Sequence, residues 1–157
     1  MEMIKKKSGS FVFPVELLQL LSSNKNDYTR IASNLGLYYY ILDDYYNLFQ
    51  PKGLEKLVTL KQENHSSCSD ITESKMSLAV VHASQFPDVA TELAYILKQR
   101  TSNPRLVNRA IALLKKHDSD EYMRDKLRKL GNDIRTEINQ QGGNPHLTKF
   151  MDSLNFQ

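Results

Sequence analysis

The chain has 157 residues, a formal net charge of +3, and is 40% hydrophobic and 25% charged. That supports one domain with a real core, and the small charge on scattered lysines argues against a nucleic-acid footprint. A lone cysteine, Cys68, excludes an intrachain disulfide framework and suits a reducing, cytoplasmic setting.

In chain order, Met3 to Leu21 reads as a helix bent near Ser8-Gly9-Ser10 and Pro14, with Val15, Leu18 and Leu21 on one side. Lys5-Lys6-Lys7 before this apolar run imitates a signal peptide. Pro14, Glu16 and Gln19 interrupt it, however, and it is too short and polar to span a bilayer. No transmembrane segment is expected. Ser22 to Asn26 forms a polar turn, and Asp27 is placed to cap the next helix, which runs to Phe49. Tyr28, Ile31, Leu35, Tyr38, Leu42, Tyr45 and Phe49 supply its apolar face. Gly36 inside it anticipates a close helix approach.

Gln50-Pro51-Lys52-Gly53 stops that helix. A short helix is possible from Leu54 to Lys61, followed by polar loop to Ser69 and an apolar segment from Met76 to Ala83. Pro87-Asp88 opens a helix with Val89, Leu93, Ile96 and Leu97 inward. Asn103-Pro104 opens another with Leu106, Ala110, Ile111 and Leu114 inward. Asp118 with Glu121 resembles a capping box before a long helix carrying Met123, Leu127, Leu130, Ile134 and Ile138. Gly142-Gly143 ends it, and Asn144-Pro145 starts a last helix with Leu147, Phe150, Met151 and Leu154. No strand alternation or repeat is found, so the fold class is all-α.

The chemistry concentrates at Asp43-Asp44-Tyr45-Tyr46-Asn47. At about 100° per residue, Asp43 and Asn47 lie roughly 40° apart, with Asp44 at the edge of the same sector. Carboxylate and amide oxygens suit Mg²⁺, which is usually held by one or two carboxylates together with substrate phosphates. A solvated acidic helix tip is the plainer reading of the pentapeptide. Lysines at Lys7 and within Asp70…Lys75 could neutralise a diphosphate as mobile point charges. His65, His82, His117 and His146 with Cys68 show no zinc spacing.

Taken in order, several motifs carry a resemblance. They are Lys7-Ser8-Gly9, Leu35-Gly36-Leu37, Asp43 to Asn47, Cys68 to Lys75, His82-Ala83, Gln99-Arg100-Thr101, Glu121-Tyr122 and Gly142-Gly143-Asn144-Pro145. The chain resembles the C-terminal half of eukaryotic geranylgeranyl diphosphate synthases, which are trans-prenyltransferases of the polyprenyl synthetase type. The resemblance runs from about Met3 to the end, with a probable insertion loop over residues 51–66.

It implies a partial isoprenoid-synthase helical bundle lacking the N-terminal helices, and Mg²⁺-dependent condensation of an allylic diphosphate with isopentenyl diphosphate. Carried over by position, Asp43 and Asp44 would be catalytic, and with Asn47 they would bind metal. Lys7, Ser8, Tyr40, His65 and Lys75 would meet the allylic diphosphate. Tyr40 stands where the family has glutamine, His65 where it has lysine, and Ser74 where it has glycine. Leu42 replaces the arginine before the aspartate pair. The family's first aspartate-rich motif belongs to the half without a counterpart here. The expected partners are therefore a second copy or a full-length prenyltransferase, and the alternative reading is a non-catalytic helical partner or regulatory subunit of such an enzyme.

Overall fold

Prolines, asparagines and glycines set most helix ends in the computed structural model, which describes residues 9–24, 26–50 and 68–154. Among the described residues there are eight helices and no strand, in keeping with the all-α class, although the short turn at Ser69–Thr72 is not among the expected helices. The segment Leu54–Lys61, the 51–66 insertion and everything before Gly9 lie outside the described residues.

Helix α1 (Gly9–Leu21) contains Pro14 and buries none of its residues. Its apolar side chains point several ways, so Leu18 and Leu21, expected inward, are exposed, with Leu21 at 84%. Helix α2 (Thr29–Phe49) starts two residues after Asp27, whose Oδ1 accepts the Thr29 N–H at 2.8 Å from just outside the helix. Helix α3 (Ser69–Thr72) is a single turn. Helix α4 (Leu78–Ala83) follows the buried Ser77, whose hydroxyl accepts the Val80 N–H.

Helices α5 (Pro87–Lys98), α6 (Pro104–Lys116) and α8 (Pro145–Ser153) each open on the predicted proline. There the missing N–H costs nothing and the fixed φ suits the first turn. Asn103 and Asn144 cap α6 and α8 through their side-chain oxygens, each at 3.0 Å from a first-turn N–H. Helix α7 (Ser119–Gln140) begins after Asp118, whose φ is +52°, and Glu121 pairs with Arg124 at 3.0 Å. Gly142 and Gly143 end α7 in the left-handed region at φ +93° and +78°, where glycine is favoured.

Two compact units are distinguished. In Met1–Tyr40 with Leu127–Gln157, the core includes Ile31, Leu35, Tyr38, Ile134, Ile138 and Met151. Gly131 allows the Tyr38 ring close: a Cβ there would lie 3.3 Å from Tyr38 Cε2. In Ile41–Lys126, the predicted α5 stripe of Val89, Leu93, Ile96 and Leu97 is fully inward. On α6 the stripe is Val107, Ala110, Leu113 and Leu114, so Leu106 and Ile111 sit half-buried at its edge. Phe150 of α8 is exposed, whereas Met151 and Leu154 are buried as expected. No helix among the described residues is long and apolar enough to cross a membrane.

Candidate functional site

The last turns of α2 carry the acidic motif, and their register separates its two aspartates. Ile41, Tyr45 and Leu48 form a buried stripe. Asp44 stands three residues after the first and four before the last, so it faces inward and has no exposed surface. Asp43, one step round the helix, faces solvent.

Asn47 completes the turn and organises the next element. Its Nδ2 donates to Ser69 Oγ at 2.9 Å, and its Oδ1 accepts the Asp70 N–H at 3.1 Å. The amide thereby holds the start of α3, which Cys68 enters at φ +66°. The chain then closes a tight turn: the Lys75 N–H donates to the Asp70 carbonyl at 2.8 Å. Ser74 occupies the left-handed region at φ +58° and donates its hydroxyl to the Leu97 carbonyl. A serine thus holds a left-handed turn position directly before Lys75.

This closure brings the Lys75 ammonium onto two carboxylates. Nζ lies 2.6 Å from Asp44 Oδ1, in ionic contact without hydrogen-bond alignment, and donates to Asp70 Oδ1 at 3.0 Å. Asp70 is 3% exposed, and the Lys75 side chain is 23% exposed. The second oxygens, Asp44 Oδ2 and Asp70 Oδ2, are buried without a hydrogen-bond partner among the described residues.

Burial raises Asp44 to about 7, against the opposing pull of Lys75 and with smaller pushes from Asp70 and Asp43. Asp70 is raised for the same reason, burial first and Lys75 opposing. Burial alone would lower Lys75, but the close carboxylates, Asp44 first and then Asp70, outweigh it and raise the ammonium above its usual value. Two carboxylates thus share one cation, with a third, Asp43, close enough to repel both.

Of the sequence-predicted residues, Asp44 and Lys75 are brought together directly, with Asp43 beside them and Asn47 holding the turn. Tyr40 is half-buried on α2. Lys7, Ser8 and His65 lie outside the described residues. Asp70 is the member that the sequence reading passed over. Its signal was its place five residues before Lys75 in a run already singled out.

No group of three or more acidic, histidine or cysteine side chains is assembled as a metal cage among the described residues. A magnesium site needs less: one or two carboxylates, with water and phosphate completing the shell. The all-oxygen donor set and the two orphaned buried oxygens fit such an ion. A separate cavity of about 400 Å³ lies in the unit containing Ile31 and Ile138. Its lining carries no charged side chain and no predicted site residue, so its chemistry does not suit a diphosphate.

The polyprenyl synthetase family model matches residues 1–114. The chain belongs to the polyprenyl synthetase family. It is 37% identical over 155 residues to a geranylgeranyl pyrophosphate synthase of Dictyostelium discoideum, covering 98% of this chain and 48% of that protein. It is 34% identical over 151 residues to a terpene synthase of Matsumurasca onukii, covering 96% of this chain and 47% of that protein. A geranylgeranyl pyrophosphate synthase of Mucor circinelloides is 30% identical over 149 residues, which is 95% of this chain and 46% of that protein. The chain spans about half the length of the curated relatives it matches.

Proposed function

We propose that this polyprenyl synthetase chain carries one side of a prenyl-diphosphate site of the geranylgeranyl diphosphate synthase type. On this reading an allylic diphosphate is condensed with isopentenyl diphosphate, in the cytoplasm, with Mg²⁺ as the ion. The observation that carries the reading is the Lys75 ammonium held between Asp44 and Asp70 beside the exposed Asp43. Similarity to named synthases over nearly the whole chain favours this over a purely helical partner.

The residues divide the work by exposure. Asp43 is reachable from solvent and, with Asp44, would hold the ion; Asn47 fixes the turn beneath them. Bound Mg²⁺ would neutralise the diphosphate and ease its departure. Lys75 supplies a preorganised positive charge on the same side, where negative charge grows as the carbon–oxygen bond breaks. The Tyr40 phenol can donate a hydrogen bond in place of the family's amide. Lys7, Ser8 and His65 would add further contacts by position.

The test is direct. The chain is incubated with Mg²⁺, farnesyl diphosphate and labelled isopentenyl diphosphate, alone and with a second polypeptide supplying the relatives' unmatched half. A longer prenyl diphosphate that disappears with Asp43→Ala supports the proposal. Absence of product under both conditions contradicts it.

A further inference from the structure

We propose that Asp70 is a positioning residue which, together with Asp44, sequesters the Lys75 ammonium until a divalent cation takes over the carboxylate oxygens. The inference rests on the Mg²⁺–diphosphate reading of this site and adds an order of events to it.

The geometry supplies three reasons. First, Asp70 and Lys75 belong to one closed turn, with the Lys75 N–H on the Asp70 carbonyl and Asn47 fixing the Asp70 N–H. The ammonium therefore meets the carboxylate without any ligand. Second, Nζ faces Oδ1 of both aspartates, so much of its charge is already engaged when a diphosphate arrives. Third, the remaining Oδ2 atoms are buried with no hydrogen-bond partner among the described residues, a costly condition in a native interior. A divalent cation shared by those oxygens would supply the partners they lack.

Once the oxygens are shared with a divalent ion, the ammonium is repelled and its hold on these two carboxylates weakens. Lysine is a point charge on a flexible stem, so it can swing toward solvent and a phosphate oxygen without any backbone change. Asp70 thus acts through Lys75 and need not touch the substrate. Paired in this way, the lysine is withheld from the anion until the metal is in place.

Chemical labelling reads this out without turnover. Lys75 acetylation by a water-soluble N-hydroxysuccinimide ester is followed by mass spectrometry, relative to the exposed Lys98 and Lys149. Saturating Mg²⁺ should raise the Lys75 ratio at least about threefold, as the ammonium leaves the two buried carboxylates for solvent. Asp70→Asn, checked for helicity by circular dichroism, should raise the ratio without Mg²⁺ and blunt the response to it; Asp44→Asn is the second variant. Mg²⁺ binding seen by calorimetry with an unchanged Lys75 ratio overturns the sequestration and leaves the proposed function standing. An equal rise with NaCl at matched ionic strength also overturns it, because that is screening. No Mg²⁺ binding at all overturns both.

Discussion

Arg109 and Glu92 meet on helices α6 and α5 through two parallel contacts of 2.6 and 2.7 Å, and both side chains remain about half exposed. Lys75 meets Asp44 and Asp70 in the same unit, where Asp44 has no exposed surface and two carboxylates face one ammonium. The exposed pair is well aligned, and it joins two helices that already pack together, with Leu93 and Ala110 buried on them. Such pairs form easily and contribute little, because water screens them. Removing charges from water costs several kcal/mol per ion, so a buried triad is a poor means of stabilising a fold. Its retention is better explained by binding than by stability.

The comparison can be broken first at Lys75. Lys75→Met should destabilise the chain by about 3–5 kcal/mol, because it strands buried carboxylates without their cation. Urea unfolding measures this, and a loss well under 1 kcal/mol would mean that the carboxylates carry no charge there. Asp44→Asn should be milder in stability, within about 1 kcal/mol, since an amide oxygen still faces Lys75. The same variant should weaken Mg²⁺–diphosphate binding by about tenfold or more, since it removes one of the two carboxylates that would hold the ion. Calorimetry separates the two effects.

A third region lies between these extremes. The His82 ring stacks on Tyr122 at 4.1 Å, and its Nδ1 sits 2.9 Å from the buried Ser119 hydroxyl. Burial first, and His117 second, hold His82 below the ordinary imidazole value of about 6.5. The unfolded chain therefore binds that proton more readily, and stability should fall as pH drops through the mid-6 range. Melting followed by circular dichroism should show this decline, and His82→Gln should flatten it. The smallest effect is expected at the exposed pair: Arg109→Ala should leave the melting temperature essentially unchanged at moderate salt, with any shift vanishing as salt rises.

Helix ends were the most legible feature of the sequence, because Pro87, Asn103-Pro104, Gly142-Gly143 and Asn144-Pro145 act locally through φ and capping. The α5 stripe was equally plain. Helix α1 was not: with apolar residues on most sides, periodicity could not say which would be covered, and none is buried among the described residues. On α6 the stripe turned by one residue, since Val107 and Leu113 are as apolar as Leu106 and Ile111. The aspartate pair was found by its spacing and family likeness. The burial of Asp44 is legible only from Ile41 and Leu48, which widen the apolar arc beyond the seam through Leu42 and Tyr45. Asp70 was hidden for another reason. Its partnership with Lys75 depends on a left-handed Ser74 and a four-residue helix, and such short, irregular backbone leaves no periodic trace.

The central claim is that these carboxylates and this lysine form one face of a magnesium–diphosphate site. Calorimetric titration of inorganic diphosphate into the chain, with and without Mg²⁺, tests it most directly. Saturable binding that requires Mg²⁺ and is lost in both Asp43→Asn and Lys75→Met is the predicted result. Binding that ignores Mg²⁺, or that survives Asp43→Asn unchanged, would contradict it.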